Sequence, residues 1–231
     1  MHIAGLQKLT LLDYPGKVAA TVFLAACNFR CPFCHNARLV ENPKEGERIS
    51  KEEVLGFLGK RRGILEGVAV TGGEPLIWSE TAELLREIKA LGFKVKLDTN
   101  GSFPERLKEI LDKGLCDRVA MDIKASPENY PAAIGLKSFD LAPIRKSIEL
   151  LKNSGVEYEF RTTLVKGIHE PEEMHEIGRL IEGAEEYYLQ AFKDSGELLN
   201  AEGLEEFNEA EMREFLDIAK KYVKSVSLRG I

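Results

Sequence analysis

The stretch Val18-Ala-Ala-Thr-Val-Phe-Leu24, followed by Cys27-Asn-Phe-Arg-Cys31-Pro-Phe-Cys34-His35, sets the pattern of this chain, a short apolar segment and then a polar loop. Its first part is rich in β-branched residues and indicates a buried strand. Five more segments of this kind follow, each separated from the next by a stretch with helical periodicity: 68–71, 94–98, 117–123, 157–165 and 186–192. Such alternation is typical of repeated β/α units with a parallel sheet.

The stretches between these strands carry the signals of helices. Ser50-Lys-Glu-Glu53 is a capping box that begins one helix, and Pro104 suits the first turn of another. Further helices are predicted over 79–91, 141–153, 171–181 and 209–223, with a closing strand over Ser225–Arg229.

Six β/α units are fewer than the eight, in about 250 residues, that close a TIM barrel. No long linker or shift of composition divides the 231 residues. We therefore expect an α/β fold class, an incomplete (β/α)6 TIM-like barrel, as a single domain over residues 1–231. A doubly wound open sheet is the alternative, since periodicity alone does not distinguish the two. In either fold, functional residues gather at the carboxyl ends of the strands.

The composition excludes several classes of partner. The chain has 32 Lys and Arg against 38 Asp and Glu, a formal charge of −6, whereas a nucleic-acid surface needs clustered basic residues. No apolar run approaches the ~18 residues of a membrane span, and the N-terminus has no signal-like segment. We expect a cytoplasmic protein that binds neither nucleic acid nor membrane.

Three cysteines with the spacing C-x3-C-x2-C, Cys27, Cys31 and Cys34, follow the first strand. A disulfide is disfavoured by their odd number and by a reducing compartment. The segment from Cys31 to His35 matches the C-x-x-C-H haem pattern, but that chemistry belongs to exported proteins and leaves Cys27 unused. The fourth cysteine of the chain, Cys116, begins a different strand and is interpreted as a small buried residue.

Two metal interpretations of the three cysteines stay open. Zinc could take His35 as a fourth ligand, although adjacent Cys and His ligands are geometrically awkward and zinc ligands come in separated pairs. A [4Fe–4S] cluster held by three thiolates would leave one iron without a protein ligand. An open coordination position is what a catalytic metal requires.

Polar motifs also follow the second to fifth predicted strands: Gly72-Gly-Glu-Pro75, Asp98-Thr-Asn-Gly101, Asp122-Ile-Lys124 and Arg161. Each could be an ordinary turn or a solvated strand end. The glycines would also let a ligand approach the backbone. Asp98 and Asp122 would repel each other unless they shared a cation or a positive side chain such as Lys124.

With these motifs on neighbouring strand ends, the sequence resembles the radical S-adenosylmethionine (SAM) enzyme family. The resemblance implies that Cys27, Cys31 and Cys34 ligate three irons of a [4Fe–4S] cluster, and that SAM chelates the fourth. It also implies contact between the methionine amino group of SAM and the backbone of Gly72 and Gly73 together with Glu74.

Within the family, the chain looks like the glycyl-radical-activating branch, typified by pyruvate formate-lyase activating enzyme. That likeness implies a monovalent cation near Asp98 and Asp122, with Thr99 and the carbonyl of Ala120. It places Lys124 near the SAM carboxylate. The remaining residues that it places against the cofactor are Phe33, His35, Asn36, Asn100 and Arg161.

The sixth strand departs from that enzyme type, which carries a histidine where this chain has Gln190-Ala-Phe-Lys193. Together with the opening segment 5–16, whose other interpretation is a plain hairpin, this moves the likeness toward anaerobic ribonucleotide reductase activating proteins. These relatives imply a 5′-deoxyadenosyl radical that abstracts a glycine Cα hydrogen from a partner glycyl radical enzyme, here anaerobic ribonucleoside-triphosphate reductase, with a ferredoxin or flavodoxin as electron donor. Two alternatives remain, a radical SAM enzyme for a small molecule of modified-nucleoside biosynthesis and a zinc-binding module without SAM chemistry.

Overall fold

Eight strands form one sheet in the order in which they occur along the chain. The computed structural model describes residues 1–41, 48–194, 196 and 198–231. The first strand is antiparallel to the second, and every later neighbour pair is parallel. The strands are Ile3–Thr10 (β1), Ala19–Leu24 (β2), Gly67–Gly72 (β3), Lys94–Thr99 (β4), Arg118–Asp122 (β5), Glu157–Leu164 (β6), Glu186–Ala191 (β7) and Ser225–Arg229 (β8).

This order confirms the incomplete barrel. A doubly wound sheet reverses its strand order part-way, and here β2 to β7 are added one after another in chain order. The predicted closing strand is present as β8, and the opening segment adds β1 as a hairpin partner of β2. Among the described residues β1 and β8 are not paired, so the barrel is open between them.

The helices connect the strands and cover the outside of the sheet. They are Ala37–Glu41 (α1), Lys51–Gly59 (α2), Thr81–Ala90 (α3), Pro104–Asp112 (α4), Tyr130–Ala133 (α5), Ala142–Asn153 (α6), Met174–Leu180 (α7) and Glu209–Ala219 (α8), with 3₁₀ turns at Pro75–Ile77 and Pro171–Glu173. The capping box predicted at Ser50 begins α2. Within the described ranges no helix has the length and hydrophobicity needed to cross a bilayer.

The alternation of side chains along each strand separates an apolar outer face from a polar interior. On β4, Val95 and Leu97 are fully buried in the hydrophobic core, while Lys96 and Asp98, which alternate with them, form an ion pair. The same alternation on β5 and β6 directs acidic and basic side chains into the barrel, where they meet across strands. The interior is therefore filled by charged groups.

Candidate functional site

The cysteine loop between β2 and α1 is attached to the loop after β3 by backbone contacts. Ala26 has a φ of 70°, uncommon for a residue with a Cβ, and its amide donates to the Leu39 carbonyl at 2.8 Å. Its carbonyl accepts from the Glu74 amide, also at 2.8 Å. A Cβ added to Gly73 would lie 2.0 Å from the Ala26 oxygen, and one on Gly72 would lie 2.1 Å from the Leu24 oxygen. Only glycine permits this approach.

A cavity of about 240 Å³ opens at the carboxyl ends of the strands, as the fold predicts. Every residue predicted for the site from the sequence lines this cavity except Glu74 and Ala120. The predicted residues brought together are Cys27, Cys31, Phe33, Cys34, His35, Asn36, Gly72, Gly73, Asp98, Thr99, Asn100, Asp122, Lys124 and Arg161.

The three cysteines are free thiols that line the cavity. Burial raises the pKa of Cys27 to about 11 and that of Cys31 to about 12, so a metal must displace protons to bind them as thiolates. Two donors approach the sulfur of Cys27, the Phe29 amide at 3.4 Å and the Asn100 side-chain amide at 3.8 Å. Such contacts tune iron–sulfur centres.

The arrangement fits a cluster better than a single ion. Zinc requires ligands that converge within about 2.0–2.3 Å of one point. Over the described ranges no three His, Cys, Asp or Glu side chains are grouped in that way. A [4Fe–4S] cluster is larger and takes its thiolates at separate irons. Three thiols that line one cavity without converging on a single point match this requirement, and the zinc alternative gains no support from the geometry.

His35 and Asn36, which directly follow Cys34, connect the cysteine loop to the ends of other strands. His35 places Nε2 at 2.8 Å from the Lys193 carbonyl, just beyond β7, and its ring lies 5.8 Å from that of Phe192. Asn36 donates its side-chain amide to the Gly72 carbonyl at 3.0 Å. Both residues therefore fix the cysteine loop as well as lining the cavity.

Glu74 lies behind the cavity wall, not in it. Its fully buried carboxylate accepts hydrogen bonds from the Leu76 amide (2.9 Å), the Thr99 hydroxyl (2.8 Å) and the Asn100 amide (2.6 Å). Burial raises its pKa to about 7 against the opposing effect of these hydrogen bonds. Glu74 thus clamps the loop after β3 to the loop after β4, and its carboxylate is engaged within the protein.

A chain of ion pairs crosses the cavity floor. Arg161 donates from Nη1 to Asp98 Oδ2 and from Nε to Asp122 Oδ1, each at 3.0 Å. Lys96 contacts Asp98 Oδ1, and Lys124 donates to Asp122 Oδ2 at 2.9 Å. Burial alone would raise the pKa of Asp122, but the charges of Arg161 and Lys124 outweigh it and hold the pKa at about 2.

These contacts disagree with the monovalent cation that the resemblance implies. All four oxygens of Asp98 and Asp122 already pair with a cationic side chain. The Thr99 hydroxyl is also engaged, because it donates to Glu74 and accepts from the Gly101 amide. The side chains of Asp98, Asp122 and Thr99 therefore each have partners within the protein in this arrangement, and a metal cation would have to share or displace those partners.

A second ion-pair group fills the barrel below this floor. Glu159 is fully buried and pairs with Arg118 at 2.7 Å and with Arg229 of β8 at 2.8 Å. The Arg229 guanidinium also lies 3.3 Å from the centre of the Tyr188 ring. Burial alone would raise the pKa of Glu159, but the hydrogen bond from Arg229 and the charges of Lys96 and Arg161 lower it to about 2.

The structure adds residues to the site that the sequence analysis did not assign to it. Phe29, Val40, Thr71, Thr163 and Gln190 also line the cavity. Strand alternation could have found two of them, since Thr71 is the last residue but one of β3 and Thr163 follows Arg161 by two positions on β6.

His169 supports the site from outside the cavity. It is fully buried, and its Nε2 lies 2.8 Å from the Lys124 carbonyl. Its ring also packs edge-on against that of Phe33. It follows β6 in the chain, and only the folded structure brings it to the end of β5.

The fold and the site define the class of the protein. Residues 21–181 match the model of the Radical SAM superfamily, which covers most of the chain. The chain belongs to the radical SAM superfamily and is an enzyme of the oxidoreductase kind. The family implies a [4Fe–4S] cluster and SAM, which the three thiols and the cavity fit.

Individual relatives narrow the comparison. The chain is 33% identical over 245 residues to the Methanocaldococcus jannaschii protein named "Putative glycyl-radical enzyme activating enzyme MJ1227", a match that covers 99% of this chain and 96% of that protein. It is 29% identical over 155 residues to the "Probable GTP 3',8-cyclase" of Thermococcus kodakarensis, which covers 63% of this chain and 47% of that protein.

A solved structure shares the fold at low identity. The crystal structure of Streptococcus suis SuiB bound to S-adenosylmethionine matches with a TM-score of 0.70 and 14% identity. The match covers 91% of this chain but only 50% of the SuiB chain. The likeness therefore establishes the radical SAM fold alone.

Proposed function

We propose that this protein activates a glycyl radical enzyme, with anaerobic ribonucleoside-triphosphate reductase as the first candidate. When bound, the cluster would supply one electron that breaks the C5′–S bond of SAM. The products would be methionine and a 5′-deoxyadenosyl radical, which would become 5′-deoxyadenosine by taking a hydrogen atom from a glycine Cα of the partner. The relative from Methanocaldococcus jannaschii, similar over nearly the whole chain, supports this branch of the family.

The lining of the cavity and the filled barrel beneath it carry the proposal. Nearly all residues that line the cavity belong to motifs assigned to the cluster and SAM, and the ion pairs of Glu159 close the barrel beneath. The hydrogen donor must then approach at the mouth of the barrel. A loop of another protein can do so, and the opening between β1 and β8 leaves the barrel unclosed beside it.

The chain's own residues would bind and position the cofactors. Cys27, Cys31 and Cys34 would hold three irons, and the backbone at Gly72 and Gly73 would receive the methionine end of SAM. Lys124 and Arg161 line the cavity, and their cationic groups would suit the carboxylate of SAM. Phe33, His35, Asn36, Thr99 and Asn100 would complete the wall, while Glu74 would act through the loops that it clamps.

The domain organisation, the electron donor and the cellular compartment belong to the same proposal. A single domain over residues 1–231 agrees with the membership of all eight strands in one sheet. The electron would come from a ferredoxin or flavodoxin in the reducing cytoplasm, where thiols stay free for metal binding. The proposal includes neither nucleic acid nor a membrane as a partner. The monovalent cation near Asp98 and Asp122 is left out, because their oxygens are already paired.

A radical SAM enzyme acting on a small molecule is the second candidate. The GTP 3',8-cyclase relative favours it, although that match covers 63% of this chain against 99% for the first relative. The two candidates differ in what loses a hydrogen atom, a glycine of a protein or a carbon of a metabolite.

Anaerobic reconstitution with iron and sulfide provides the first test. The brown protein should cleave SAM after reduction, and Cys34→Ala should lose most of its iron and all SAM cleavage. Cys116→Ala is the matched control, because Cys116 is buried in the core away from the cavity and should keep both. A colourless protein that retains zinc and cleaves no SAM would contradict the radical reaction.

Incubation with candidate glycyl radical enzymes provides the second test. The expected result is the doublet electron-spin signal of a glycyl radical in the partner, formed only with SAM and reductant. Consumption of a nucleotide with no such doublet would instead establish the small-molecule candidate.

A further inference from the structure

We propose that Lys96 is a built-in cation of the SAM site, which positions Asp98 and makes binding of SAM independent of monovalent metal ions. The inference rests on the proposed use of SAM but not on the identity of the partner enzyme. Lys96 is a positioning residue, since it contacts Asp98 and does not line the cavity.

The position of Lys96 follows from the strand. Asp98 ends the inner face of β4, and Lys96 precedes it by two residues, so both side chains point into the barrel. Only 2% of the Lys96 side chain is exposed, and its ammonium contacts Asp98 Oδ1. A buried ammonium is costly unless it is paired, and a partner that loses it is left as an uncompensated buried carboxylate.

Each carboxylate oxygen at the site is paired without a metal. Lys96 and Lys124 hold the outer oxygens of Asp98 and Asp122, and Arg161 bridges the inner ones. Three cationic side chains thus face two carboxylates. A monovalent metal ion would add a fourth positive charge and compete with an ammonium for an occupied oxygen. The Lys96 ammonium belongs to the chain itself, so it is always present and need not be bound from solution.

Lys96 affects the cofactor through the position of Asp98. Asp98 lines the cavity and is fixed from below by Lys96 and from the side by Arg161. Without Lys96, one oxygen of a buried carboxylate loses its partner, and the side chain is free to turn toward other donors. The surface that SAM meets would change even though no cavity-lining residue had been replaced.

Two variants test this inference. Lys96→Met keeps the length of the side chain without its charge, and Lys96→Ala leaves room for an ion beside Asp98. Lys94→Met is the matched control on the same strand, because Lys94 is 59% exposed and pairs with Asp117 outside the site. SAM affinity is measured on reconstituted protein by equilibrium dialysis in KCl, NaCl or choline chloride at one ionic strength.

The wild type and Lys94→Met should bind SAM equally within twofold in all three salts. Lys96→Met should bind SAM about tenfold more weakly in each salt. Lys96→Ala should be as weak in choline chloride but recover threefold or more in KCl or NaCl. The melting temperature of cluster-free Lys96→Ala should likewise rise with KCl and not with choline chloride, whereas that of the wild type should not distinguish them.

Three results would overturn the inference: a saturable gain in wild-type SAM affinity with K⁺ or Na⁺, unchanged affinity in Lys96→Met, or a Lys96→Ala defect that neither ion relieves. The last result would mean that Lys96 only supports the fold. These readouts need no partner enzyme, so they stand apart from the glycyl-radical assay that decides the proposed function.

Discussion

The contact between the two loops at the cavity predicts a large effect for one methyl group. In Gly73→Ala the added Cβ would lie 2.0 Å from the Ala26 oxygen and 3.2 Å from the Cys27 Cβ, whereas ordinary contact begins at 3.4 Å. The obstacle is backbone, so a side-chain rotation cannot relieve it. The loops must separate by more than an ångström, and the cysteine loop must move with them.

The size of the effect follows from what that separation breaks. The Gly73 amide donates to the Leu24 carbonyl and the Glu74 amide to the Ala26 carbonyl, both at 2.8 Å. Each such hydrogen bond contributes about 1 kcal/mol, and overpacking costs about 1–3 kcal/mol. We therefore expect the free energy of unfolding to fall by about 3–5 kcal/mol. Iron bound after reconstitution should also fall, because Cys27 is displaced.

Urea unfolding and iron analysis measure the two effects on the same preparations. Gly56→Ala is the matched control, because Gly56 lies within α2 with nothing near the position of its Cβ and should gain about 0.5–1 kcal/mol. If Gly73→Ala unfolds within 0.5 kcal/mol of the wild type and binds its full iron, the close backbone approach is not what holds the cysteine loop.

Two further predictions concern the ion pairs. The pKa of Glu159 is lowered to about 2, below its ordinary 4.5, so its contribution to stability is complete above pH ~4.5 and is lost as the pH falls toward 2. Urea unfolding from pH 7 to pH 3 should therefore show a smaller acid loss in Glu159→Gln, which is itself less stable at pH 7, and an equal loss would refute this. Lys124→Met should weaken SAM binding about tenfold, roughly 1.4 kcal/mol, by equilibrium dialysis; unchanged affinity would show that its charge does not act on SAM.

Much of this site could be predicted because its elements are local in sequence. The apolar segments predict where each strand ends. Motifs that follow the strands of a β/α barrel lie together at one end of the barrel. For this reason the sequence alone predicts that the cysteines, the glycine pair and the two aspartates lie at one site, where the structure has them. Period-two alternation would also have placed Lys96 beside Asp98, since both lie on one strand.

The direction of individual side chains could not be predicted in the same way. Glu74 follows Gly73 directly, yet it points away from the cavity because the loop turns and three donors from two segments capture its carboxylate. Arg161 bridges Asp98 and Asp122 from a third strand. Which carboxylates it reaches depends on how the three strands are staggered. These interactions join residues far apart in sequence and have no local signal.

The filled interior connects the fold to the kind of substrate. A barrel lined by apolar side chains could have left space beneath its mouth, but buried charges must be paired, and the pairs of Glu159 and Asp98 occupy that space with arginine and lysine side chains. Reacting atoms are thereby confined to the mouth, where the cysteine loop and the strand ends meet. A substrate bound there must bring most of its binding surface with it. A folded partner protein does so, which is the physical reason to favour a polypeptide glycine over a free metabolite.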